Sequence, residues 1–589
     1  MGTPTTDQRF RQAVQLAQRG HRHRAAPVFA GIVKEDPRNE AAWLWLAACL
    51  DDPQRQRYCL EQALNINPQN QRARQALMKT SAQTVERSAS IPRTGTALVF
   101  DVPETADDQP VRPDPAAPPQ TRRSRTGLII LLLVLLAAIA ALIYFFQSRG
   151  EGFFDRRSGQ PQLTDLAQAL RDAPPGATIT LSEGVFNISE ALEIDKAVTL
   201  KGAGVDATEL VLLEGGFVVM AGSAFHMEDI SVRYDGQAGA DVIFSEGGEI
   251  NLTACRVGGG RWDPQTQAGG RGLVIDGGIG AISRCEFVHN DLTGMEVRGE
   301  AAPLIHENLI HQNRAGGMIV SGSAQPEIRN NIIRDNGDTG LVFYQTAAGK
   351  AIDNEISGNA YTGIAVRDQA APLIVENTVA HNLEFGAEIT EQARPMLLSN
   401  IFRESGRAGI AYFNNAAGAA QDNDCSDNAM HGISVNDEAA PFLQENRCQR
   451  NAQVGIDYWG RSGGSAVNNE TTDNGLQGIA VHEEASPVLE NNISRRNNDS
   501  GIIFWGASGG AARNNECSDN RLNGISVHAD AQPVIEKNMC SGNNLSGIAF
   551  YERAGGSARE NRCADNATNT IFIADEARPA LGQNQCSDN

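Results

Sequence analysis

The sequence is poor in positive charge and in motifs for metal binding. Its 589 residues include 50 Lys and Arg against 71 Asp and Glu, which gives a formal net charge of −21 at pH 7. Because binding to a phosphate backbone requires a basic face, this balance argues against nucleic acid as a partner. The ten cysteines include no pair with the CxxC spacing typical of zinc sites. We therefore expect no nucleic acid, no metal site and no cofactor.

The first residues, MGTPTTDQRF, also lack an apolar stretch behind a basic start. A cleavable signal peptide is therefore not expected at this position. The composition is otherwise that of a folded chain, with 41% hydrophobic and 21% charged residues. A chain of this length and composition can bury a large core.

Residues 127–146, GLIILLLVLLAAIAALIYFF, form a run without a charged residue. An α-helix needs about 20 apolar residues to cross a bilayer core, so this run predicts a single transmembrane helix. A buried core helix is usually shorter and has a polar face. Arginines precede the run closely, whereas those after it lie farther away on average. The positive-inside rule then predicts a cytoplasmic N-terminus and an extracytoplasmic C-terminal part.

Residues 6–80 have the periodicity of amphipathic helices. Two segments, EDPRNEAAWLWLA and NINPQNQRARQAL, place Pro37 and Pro68 at corresponding positions and resemble tetratricopeptide repeats, although the 31-residue interval is short. The resemblance implies a module that docks a cytoplasmic protein partner. Residues 81–126 are rich in proline and predict a disordered linker. Four apolar side chains of the helical segment are interpreted as helix–helix core, those of Trp43, Trp45, Leu46 and Leu64.

The C-terminal part repeats itself every 23 residues. Glycine recurs at this interval from Gly294 to Gly547 and asparagine from Asn308 to Asn584, with a second asparagine five residues later in nearly every copy. The apolar positions alternate as in a strand, for example in Gly-Ile-Ser-Val at 524–527. Each copy therefore predicts one coil of short parallel strands, and stacking coils about 4.8 Å apart aligns equivalent residues in columns. We expect the asparagines to hydrogen-bond along their column, and both residue types to occupy corners of left-handed backbone.

The pattern G-I-x-V-x-x-x-A-x-P-x-[IL]-x-x-N-x-x-x-x-N resembles the repeats of pectin-lyase-like, right-handed parallel β-helix proteins over residues 160–589. Residues 163–204 resemble the opening of these proteins, in which a short helix covers the end of the core. The predicted fold is an all-β right-handed parallel β-helix solenoid of about 23 residues per coil, plus a small α-helical repeat domain and one transmembrane helix.

This resemblance implies a wide range of functions. Polysaccharide lyases, hydrolases and epimerases share the fold with carbohydrate-binding scaffolds and a periplasmic copper-maturation factor, so the fold alone cannot choose among them. The NTD, GHG and RIK signatures of polygalacturonases and the DPHE of alginate epimerases are absent from the sequence.

One column of the repeat contains cysteines. They lie two residues after a ladder asparagine, where other coils have Ile, Val or Phe, so the position is predicted to point into the core. We expect a column of small apolar thiols, because in-register parallel side chains have unfavourable torsions for disulfide bonding. The column comprises Cys425, Cys448, Cys517, Cys540, Cys563 and Cys586.

Coils of two types alternate over most of the C-terminal half, one with Gly where the other has Pro. The Gly-type coils end a strand on two aromatic residues, as in Tyr458-Trp459, of which the second faces outward by strand alternation. The Pro-type coils place mainly His, Asn or Arg at this outward position, with carboxylates beside it. Rings on alternate coils would lie about 9.6 Å apart, comparable to an extended disaccharide. The predicted binding residues are Tyr344, Phe413, Trp459, Trp505, Tyr551, Asn436, His482, His528, Glu483 and Asp530.

These side chains predict a surface that binds a polysaccharide or another cell-envelope polymer, and the alternative is that the rings only cover a corner of the coil. Catalytic residues cannot be named, because the paired acids recur with the repeat. His482 and His528 are two coils apart and cannot share one metal ion. The less regular coils of residues 205–290 are a second place for a site, with candidates Arg256, Trp262, Asp263, Arg271 and Asp276.

The expected molecule is a membrane-anchored surface or periplasmic binding protein with a cytoplasmic docking module. The alternative is a membrane-anchored polysaccharide lyase, hydrolase or epimerase. The final coil, ARPALGQNQCSDN, has no capping helix after it. Because exposed strand edges template pairing, this coil further predicts end-to-end association with a second copy.

Overall fold

The structure is a computed structural model, and it describes residues 166–568 and 571–586, residues 39–49, and single positions between residues 9 and 73. The chain divides into two units, Met1–Phe153 and Phe154–Asn589. The predicted linker, residues 81–126, and the predicted transmembrane helix, residues 127–146, lie outside the described residues. Among the residues that are described, no helix has the length and hydrophobicity needed to cross a bilayer.

The first unit contains the helix Glu40–Cys49. Asn39 caps this helix, since its Oδ1 accepts the backbone N–H of Ala42 at 3.1 Å. Leu46 is buried in a hydrophobic cluster, and Trp43 and Trp45 pack against the same cluster. These three side chains are core residues, as interpreted. Leu64, Pro37 and Pro68 lie outside the described residues, and the tetratricopeptide assignment of residues 6–80 stays a prediction.

The first described element of the second unit is a short helix, Leu166–Asp172. Its Leu166, Ala167 and Leu170 are buried and belong to the same hydrophobic cluster as the interior of the coils. A helix therefore covers the first coil, as predicted, and shields apolar side chains that would otherwise face water.

Each coil that follows has three short strands, and strands of successive coils pair in parallel to form three sheets. The strands of sheet 1 are Ala177–Thr180, Val198–Lys201, Ala224–Glu228, Glu249–Thr253, Gly280–Ser283, Leu304–His306, Glu327–Arg329, Lys350–Ile352, Leu373–Val375, Met396–Leu398, Ala419–Gln421, Phe442–Gln444, Ser465–Val467, Val488–Glu490, Ala511–Arg513, Val534–Glu536, Ser557–Arg559 and Ala580–Leu581.

The strands of sheet 2 are Gly184–Ile188, Thr208–Leu212, Ser231–Tyr234, Arg256–Gly258, Glu286–Val288, Leu309–His311, Ile332–Arg334, Glu355–Ser357, Thr378–Ala380, Ile401–Arg403, Asp424–Ser426, Arg447–Gln449, Glu470–Thr472, Ile493–Arg495, Glu516–Ser518, Met539–Ser541 and Arg562–Ala564. The strands of sheet 3 are Leu192–Ile194, Phe217–Val219, Ile243–Glu246, Leu273–Asp276, Met295–Arg298, Met318–Val320, Leu341–Phe343, Ile364–Val366, Ala387–Ile389, Ala408–Tyr412, His431–Val435, Ile456–Tyr458, Ile479–Val481, Ile502–Phe504, Ile525–Val527, Ile548–Phe550 and Phe572–Ile573. An antiparallel hairpin pairs Trp262–Asp263 with Ala268–Gly269.

The strand register confirms the predicted coil length. In sheet 3, Ile456 pairs with Ile479 and Tyr458 with Val481, and the ladder contacts between these coils join residues 23 positions apart. The middle residues of the regular strands in sheets 1 and 2, and the first and third residues in sheet 3, form one continuous core. Stacking therefore buries a core that no single coil could bury alone.

The asparagine columns are buried hydrogen-bonded ladders, as predicted. Asn469 Nδ2 donates to Asn492 Oδ1 at 3.0 Å, and Asn492 Nδ2 donates to Asn515 Oδ1 at 2.9 Å. The backbone N–H of Asn469 also donates to Asn492 Oδ1 at 2.9 Å, and Asn469 Nδ2 donates to Leu443 O at 3.0 Å. Each amide is satisfied by neighbouring coils, so a side chain that is costly to bury singly is stabilised by repetition.

Left-handed backbone lies one residue before the ladder asparagine. Asn468 and Asn491 have φ of 57° and 55°, whereas Asn469 and Asn492, which follow them, are not in the left-handed region. The expectation that the ladder asparagines themselves occupy left-handed corners is therefore wrong. The buried amide hydrogen bonds account for these asparagines instead.

The repeated glycines are explained by close approach of the coils. Gly455 is not among the residues with positive φ. A Cβ built on Gly455 would lie 2.6 Å from Gly478 O and 2.9 Å from both Asn474 Nδ2 and Thr471 Cβ. The expectation that this glycine column supplies left-handed corners is wrong, because the column instead leaves room for the next coil and its asparagine.

The cysteine column differs from the expectation at one end. Cys425, Cys448, Cys517 and Cys540 are buried free thiols, as predicted. Cys563 and Cys586, by contrast, form a disulfide with their Cα atoms 4.5 Å apart. The expectation of thiols throughout is therefore wrong for this pair, whose Cα separation lies within the range that a disulfide can span.

Candidate functional site

The middle residue of each regular sheet 3 strand points away from the core, yet it is mostly buried. In the strand Ile456–Tyr458, the first and last side chains lie in the core, and Asp457 between them faces outward with only 2% exposure. Outward residues pack with side chains of the neighbouring turns, as in the cluster of Val454, Ala480 and Ile503. Side chains on this outer face are therefore held in fixed positions by their neighbours.

A row of mostly flat side chains follows the edge of sheet 3. Directly after the sheet 3 strand in each of seven successive coils lies one residue of what we call the ring row: Phe413, Asn436, Trp459, His482, Trp505, His528 and Tyr551. The rings of Trp459 and His482 stack with centroids 4.2 Å apart and planes at 16°. Trp505 stacks on His528 at 4.9 Å, and His528 stacks on Tyr551 at 4.6 Å. The structure thus brings these predicted residues together on one edge.

Stacking within the ring row limits what a ligand can reach. His482 covers one face of Trp459, and His528 covers one face of Trp505. Trp459 and Trp505 nevertheless remain 42% and 45% exposed. Both side chains are therefore partly accessible to a ligand, although one ring face of each is covered.

The beginning of the row is less regular. Phe413 packs edge-on against Phe385, with ring centroids 5.7 Å apart. Asn436 Nδ2 donates to Ser434 Oγ at 2.9 Å and to Tyr412 O at 3.1 Å. Tyr344 lies at the equivalent position three coils before Phe413. The continuous stacks of the described ring row therefore start at Trp459.

Asp457 lies behind the ring row in a cluster with two imidazoles. Its Oδ2 accepts a hydrogen bond from Trp459 Nε1 at 2.6 Å and lies 3.6 Å from His431 Nδ1. Its Oδ1 lies 3.3 Å from His482 Nε2. Asp457 Oδ1 and His431 Nδ1 are buried and make no hydrogen bond within the described part of the chain. The carboxylate fixes the Trp459 indole, faces the His482 ring and keeps unused hydrogen-bonding capacity.

Burial controls the protonation of two histidines at this site. Burial lowers the pKa of His431 below its ordinary value, against the opposing effect of Asp457. Burial also lowers the pKa of His528, against the effects of Glu552 and Asp499. Both imidazoles are therefore uncharged near neutral pH.

Glu388 is a second buried carboxylate on the outer face of sheet 3. Its Oε2 lies 3.2 Å from Arg367 Nη2, and burial raises the pKa of Glu388 despite this arginine. Glu388 in turn raises the pKa of Tyr361. Glu388 lies three coils before Asp457, a separation of about 14 Å along the stack. The two carboxylates therefore do not form a pair.

Two of the candidate residues in the less regular coils, residues 205–290, form ion pairs. Arg256 Nε lies 2.6 Å from Glu286 Oε2, and Arg256 Nη1 lies 3.0 Å from Asp206 Oδ1. Arg271 Nε lies 2.5 Å from Glu296 Oε2. These guanidiniums are neutralised by carboxylates that lie one or two coils away.

The other three candidates of these coils also have local partners. Asp276 Oδ2 lies 2.9 Å from Arg298 Nε. Trp262 and Asp263 form one strand of the antiparallel hairpin, and Asp263 Oδ2 accepts a hydrogen bond from Thr266 Oγ1 at 2.8 Å. The contacts of all five candidates therefore stabilise the irregular coils.

Carboxylates beside the ring row have two different roles. Asp437 Oδ2 accepts the backbone N–H of Asn414 in the preceding coil at 2.8 Å. Asp530 makes two hydrogen bonds to Arg553, of 2.7 and 2.6 Å. These two acids stabilise the turns. Within the described residues, Glu483 makes neither kind of contact.

An open depression of about 700 Å³ lies at these turns. Gly460 and Ala507 leave space next to Glu483 and Glu484, because they carry little or no side chain. Four lining residues are carboxylates and one is a guanidinium, so the depression is acidic. Its lining comprises Asn414, Asn415, Asp437, Glu438, Gly460, Arg461, Glu483, Glu484 and Ala507.

Sequence reasoning missed Asp457, His431 and Glu388. Neighbouring coils have Ala, Ser or Ile at the outward position of the sheet 3 strand, as at Ala480 and Ile503. An acid at this position is therefore a departure from the repeat, and that departure is the signal that could have identified Asp457 and Glu388. His431 has no comparable signal, because the residue before the repeated glycine varies from coil to coil.

Each regular coil contributes one strand to each of three parallel sheets. This arrangement defines the second unit as a parallel β-helix protein. The chain matches the family described as right handed beta helix region over residues 241–350, 339–492 and 458–589. These matches cover more than half of the chain, which therefore belongs to this family. No curated protein matches the chain.

Several solved structures have similar coils at low sequence identity. A double mutant of the periplasmic alginate epimerase AlgG is 11% identical with a TM-score of 0.33, over 65% of this chain and 83% of that one. The A-module of the mannuronan C-5 epimerase AlgE6 of Azotobacter vinelandii is 14% identical with a TM-score of 0.28, over 66% and 93%. The catalytic unit of a GH87 alpha-1,3-glucanase of Streptomyces thermodiastaticus is 15% identical with a TM-score of 0.32, over 65% and 66%.

Proposed function

We propose that the outer edge of sheet 3 binds a polysaccharide or another cell-envelope polymer along the ring row. The observation that carries the proposal is the row itself, in which two indoles with more than two fifths of their surface exposed alternate with imidazoles on successive coils. Exposed aromatic rows on a folded protein usually mark an interface. A polymer extended along the stack would meet equivalent groups at every second coil, about 9.6 Å apart.

The supporting contacts are of the kind that hold a binding surface rigid. Asp457 fixes the Trp459 indole by a 2.6 Å hydrogen bond, and stacking on His528, which itself stacks on Tyr551, fixes Trp505. Because these rings are ordered before binding, little conformational entropy is lost when a ligand contacts them. Their edges present apolar surface beside hydrogen-bonding groups, which is what the faces and hydroxyls of a sugar require.

A glycan array with the full chain tests the proposal. We expect binding to one class of polymer, and the same class should co-sediment the protein when it is insoluble. Binding to no glycan and to no isolated envelope polymer would contradict the proposal.

A second candidate function is catalysis on the bound polymer, and the cluster of Asp457 with His431 and His482 favours it. Buried titratable groups with unused hydrogen-bonding capacity are typical of acid–base sites. Glycoside hydrolysis usually needs two carboxylates about 5 to 9.5 Å apart. Asp457 and Glu388 are about 14 Å apart, so these two buried carboxylates do not form the pair that hydrolysis requires.

Product analysis separates the two functions. A lyase would release unsaturated sugars, an epimerase would change the composition of the polymer without cleaving it, and a hydrolase would release reducing ends. If the protein is an enzyme, Asp457→Asn should abolish turnover and leave binding in place. A protein that binds the polymer and leaves it chemically unchanged is a binding protein.

The remaining parts of the assignment are proposals that rest on the sequence. Residues 127–146 would anchor the chain, residues 6–80 would dock a cytoplasmic protein, and the β-helix would lie outside the cytoplasmic membrane. Protease added to intact cells, or to spheroplasts if an outer membrane is present, should remove residues after 150 and spare those before 120. The opposite digestion pattern would reverse the topology.

End-to-end association of two copies also stays a prediction. Sedimentation of the full chain in detergent over a range of concentrations tests it.

A further inference from the structure

The turns beside the ring row carry more carboxylates than guanidiniums, and their two arginines, Arg461 and Arg553, are both paired with carboxylates. The turns that follow Asn436, His482 and His528 contain carboxylates, and Arg461 is the one guanidinium among the residues that line the depression. Arg461 is itself paired with Glu438. A ligand on this part of the described surface therefore meets no uncommitted positive charge from the lining.

Three carboxylates of the depression have no ion-pair partner within the described residues: Asp437, Glu483 and Glu484. Asp437 caps the backbone N–H of Asn414, whereas Glu483 and Glu484 are exposed at the turn between Gly460 and Ala507. Glycine and alanine at the flanking turns leave space beside these two carboxylates. The two glutamates are therefore accessible and available to pair with a cation.

A third observation concerns the other side of the ring row. Asp457 Oδ1 is buried without a hydrogen-bond donor among the described residues, and the imidazoles of His431 and His482 are its neighbours. His431 is uncharged near neutral pH, because burial lowers its pKa. Asp457, whose Oδ2 accepts the indole N–H of Trp459, therefore adds a buried carboxylate directly behind this ring.

The net charge of −21 acts in the same direction over longer distances. A polyanion approaching the row would be repelled by the local carboxylates and by the whole chain, whereas a polycation would be attracted. The charges thus favour a cationic polymer over an anionic one, although the rings alone would bind both equally well.

We propose that the polymer bound along the ring row is a polysaccharide of amino sugars with free ammonium groups, which pair with Glu483 and Glu484 while the sugar contacts Trp459 and Trp505. This inference rests on the proposed function and names the chemical class of its ligand. A basic peptide would satisfy the same carboxylates. The two-coil spacing of the indoles, about 9.6 Å, favours a polymer with the repeat of a disaccharide.

Three oligosaccharides of equal length test the ligand class with the full chain: an oligomer of glucosamine, its fully N-acetylated counterpart and an oligouronate. The glucosamine oligomer should bind about tenfold more tightly than the acetylated one, and the oligouronate should not bind measurably. Raising the salt concentration should weaken the first interaction and leave the second unchanged, since screening acts on charge pairs.

A pair of variants tests the residues. Glu483→Gln/Glu484→Gln should weaken binding of the glucosamine oligomer about fivefold and leave binding of the acetylated oligomer unchanged. Asp353→Asn/Glu355→Gln is the matched control, because it removes the same amount of charge from exposed residues beside sheet 2. The control should change neither affinity by more than a small factor.

The outcomes are distinguishable. Tighter binding of the acetylated oligomer or of the oligouronate, lost in a Trp459→Ala/Trp505→Ala variant, would overturn the amino-sugar inference and leave polymer binding intact. Binding to polylysine, lost in the Glu483→Gln/Glu484→Gln variant, with no binding to any oligosaccharide, would overturn the inference in favour of a peptide. No binding to the oligosaccharides or to any polymer of the array would overturn the proposed function as well.

Discussion

The asparagine ladders and the ring row follow the same 23-residue period but differ in how much they vary. The first ladder position is asparagine in every coil from Asn308 to Asn584, and the second departs from asparagine at Ser405, while the ring row changes among phenyl, indole, imidazole, phenol and amide side chains. A ladder amide donates to the coil after it and accepts from the coil before it at the same time, which a side chain with only donors or only acceptors cannot do. A ring needs only another flat surface to stack on.

The difference shows which column determines stability and which is free for recognition. Ladder side chains are almost completely buried, whereas the indoles of Trp459 and Trp505 are among the exposed large side chains of the β-helix. Substitution in the ladder leaves unsatisfied groups in the interior. Substitution in the ring row changes side chains that are partly exposed to solvent and to a ligand. The following predictions separate these two effects, beginning with the largest.

Replacement of a ladder residue should have the largest effect. Asn469→Ala removes the acceptor of the backbone N–H and Nδ2 of Asn446, both at 2.9 Å, and the donor to Leu443 O. Because each unsatisfied buried group costs about 1–3 kcal/mol, the variant should lose about 3 kcal/mol or more of unfolding free energy, measured by urea unfolding with circular dichroism. Asn498→Ala at an exposed position is the control. An equal loss in both variants would show that burial in the ladder is not the cause.

A side chain in the glycine column should have the next largest effect. The Cβ of Gly455→Ala would lie 2.6 Å from Gly478 O, which forces neighbouring coils apart and should cost about 1–3 kcal/mol. At Gly463 the nearest atom to a built Cβ is Ser486 O at 3.9 Å, so Gly463→Ala should be nearly neutral in the same unfolding measurement. If Gly455→Ala were as stable as Gly463→Ala, close approach would not explain the column.

Changes in the ring row should affect binding chiefly, and stability less than a ladder substitution does. Trp459→Ala/Trp505→Ala should weaken polymer binding about tenfold, since aromatic contacts contribute about 0.5–1.5 kcal/mol each. The variant should lose less unfolding free energy than Asn469→Ala, because removal of the indole that donates to Asp457 also opens this carboxylate to water. Titration calorimetry measures the affinity. Phe442→Ala is the matched control, because Phe442 is equally exposed, at 41%, on sheet 1. A stable double variant with unchanged affinity would contradict the assignment of the ring row.

The smallest expected effect is on the pH dependence of stability. Burial lowers the pKa of His528 in the folded protein. When the pH falls to about 6.5, the unfolded chain therefore binds a proton at this residue while the folded chain does not. The contribution of this group to stability is therefore complete above about pH 7 and is lost as the pH falls below the unfolded pKa. His528→Phe keeps a ring between Trp505 and Tyr551 and should reduce the loss of stability between pH 7 and pH 5. A ladder variant such as Asn469→Ala should keep the parental slope.

Much of this comparison is contained in the sequence. The intervals between Asn469, Asn492 and Asn515 predict a coil and its ladder, because a side chain that bonds to its own copy must recur with the coil. The outward position of Trp459 and Trp505 follows from strand alternation. The sequence could not show that their faces stack on imidazoles, since a side-chain rotamer depends on its neighbours in space.

Other features depend on contacts between coils that spacing does not encode. In the sequence, Asp457 is one more polar residue of a strand. The structure places it against the Trp459 indole and two imidazoles. The disulfide between Cys563 and Cys586 shares its spacing with the free thiols of Cys517 and Cys540, so period alone does not distinguish the two pairs.

Footprinting of the bound polymer tests the central claim most directly. The full chain would be exposed to hydroxyl radicals with and without the polymer selected from the array, and oxidation would be measured at each residue by mass spectrometry. We expect protection of Trp459, Trp505 and Tyr551 and no change at Phe442 or Met396, which are exposed on sheet 1. Protection of Phe442 and Met396 with unchanged oxidation of the two indoles would contradict the claim that the ring row is the recognition surface.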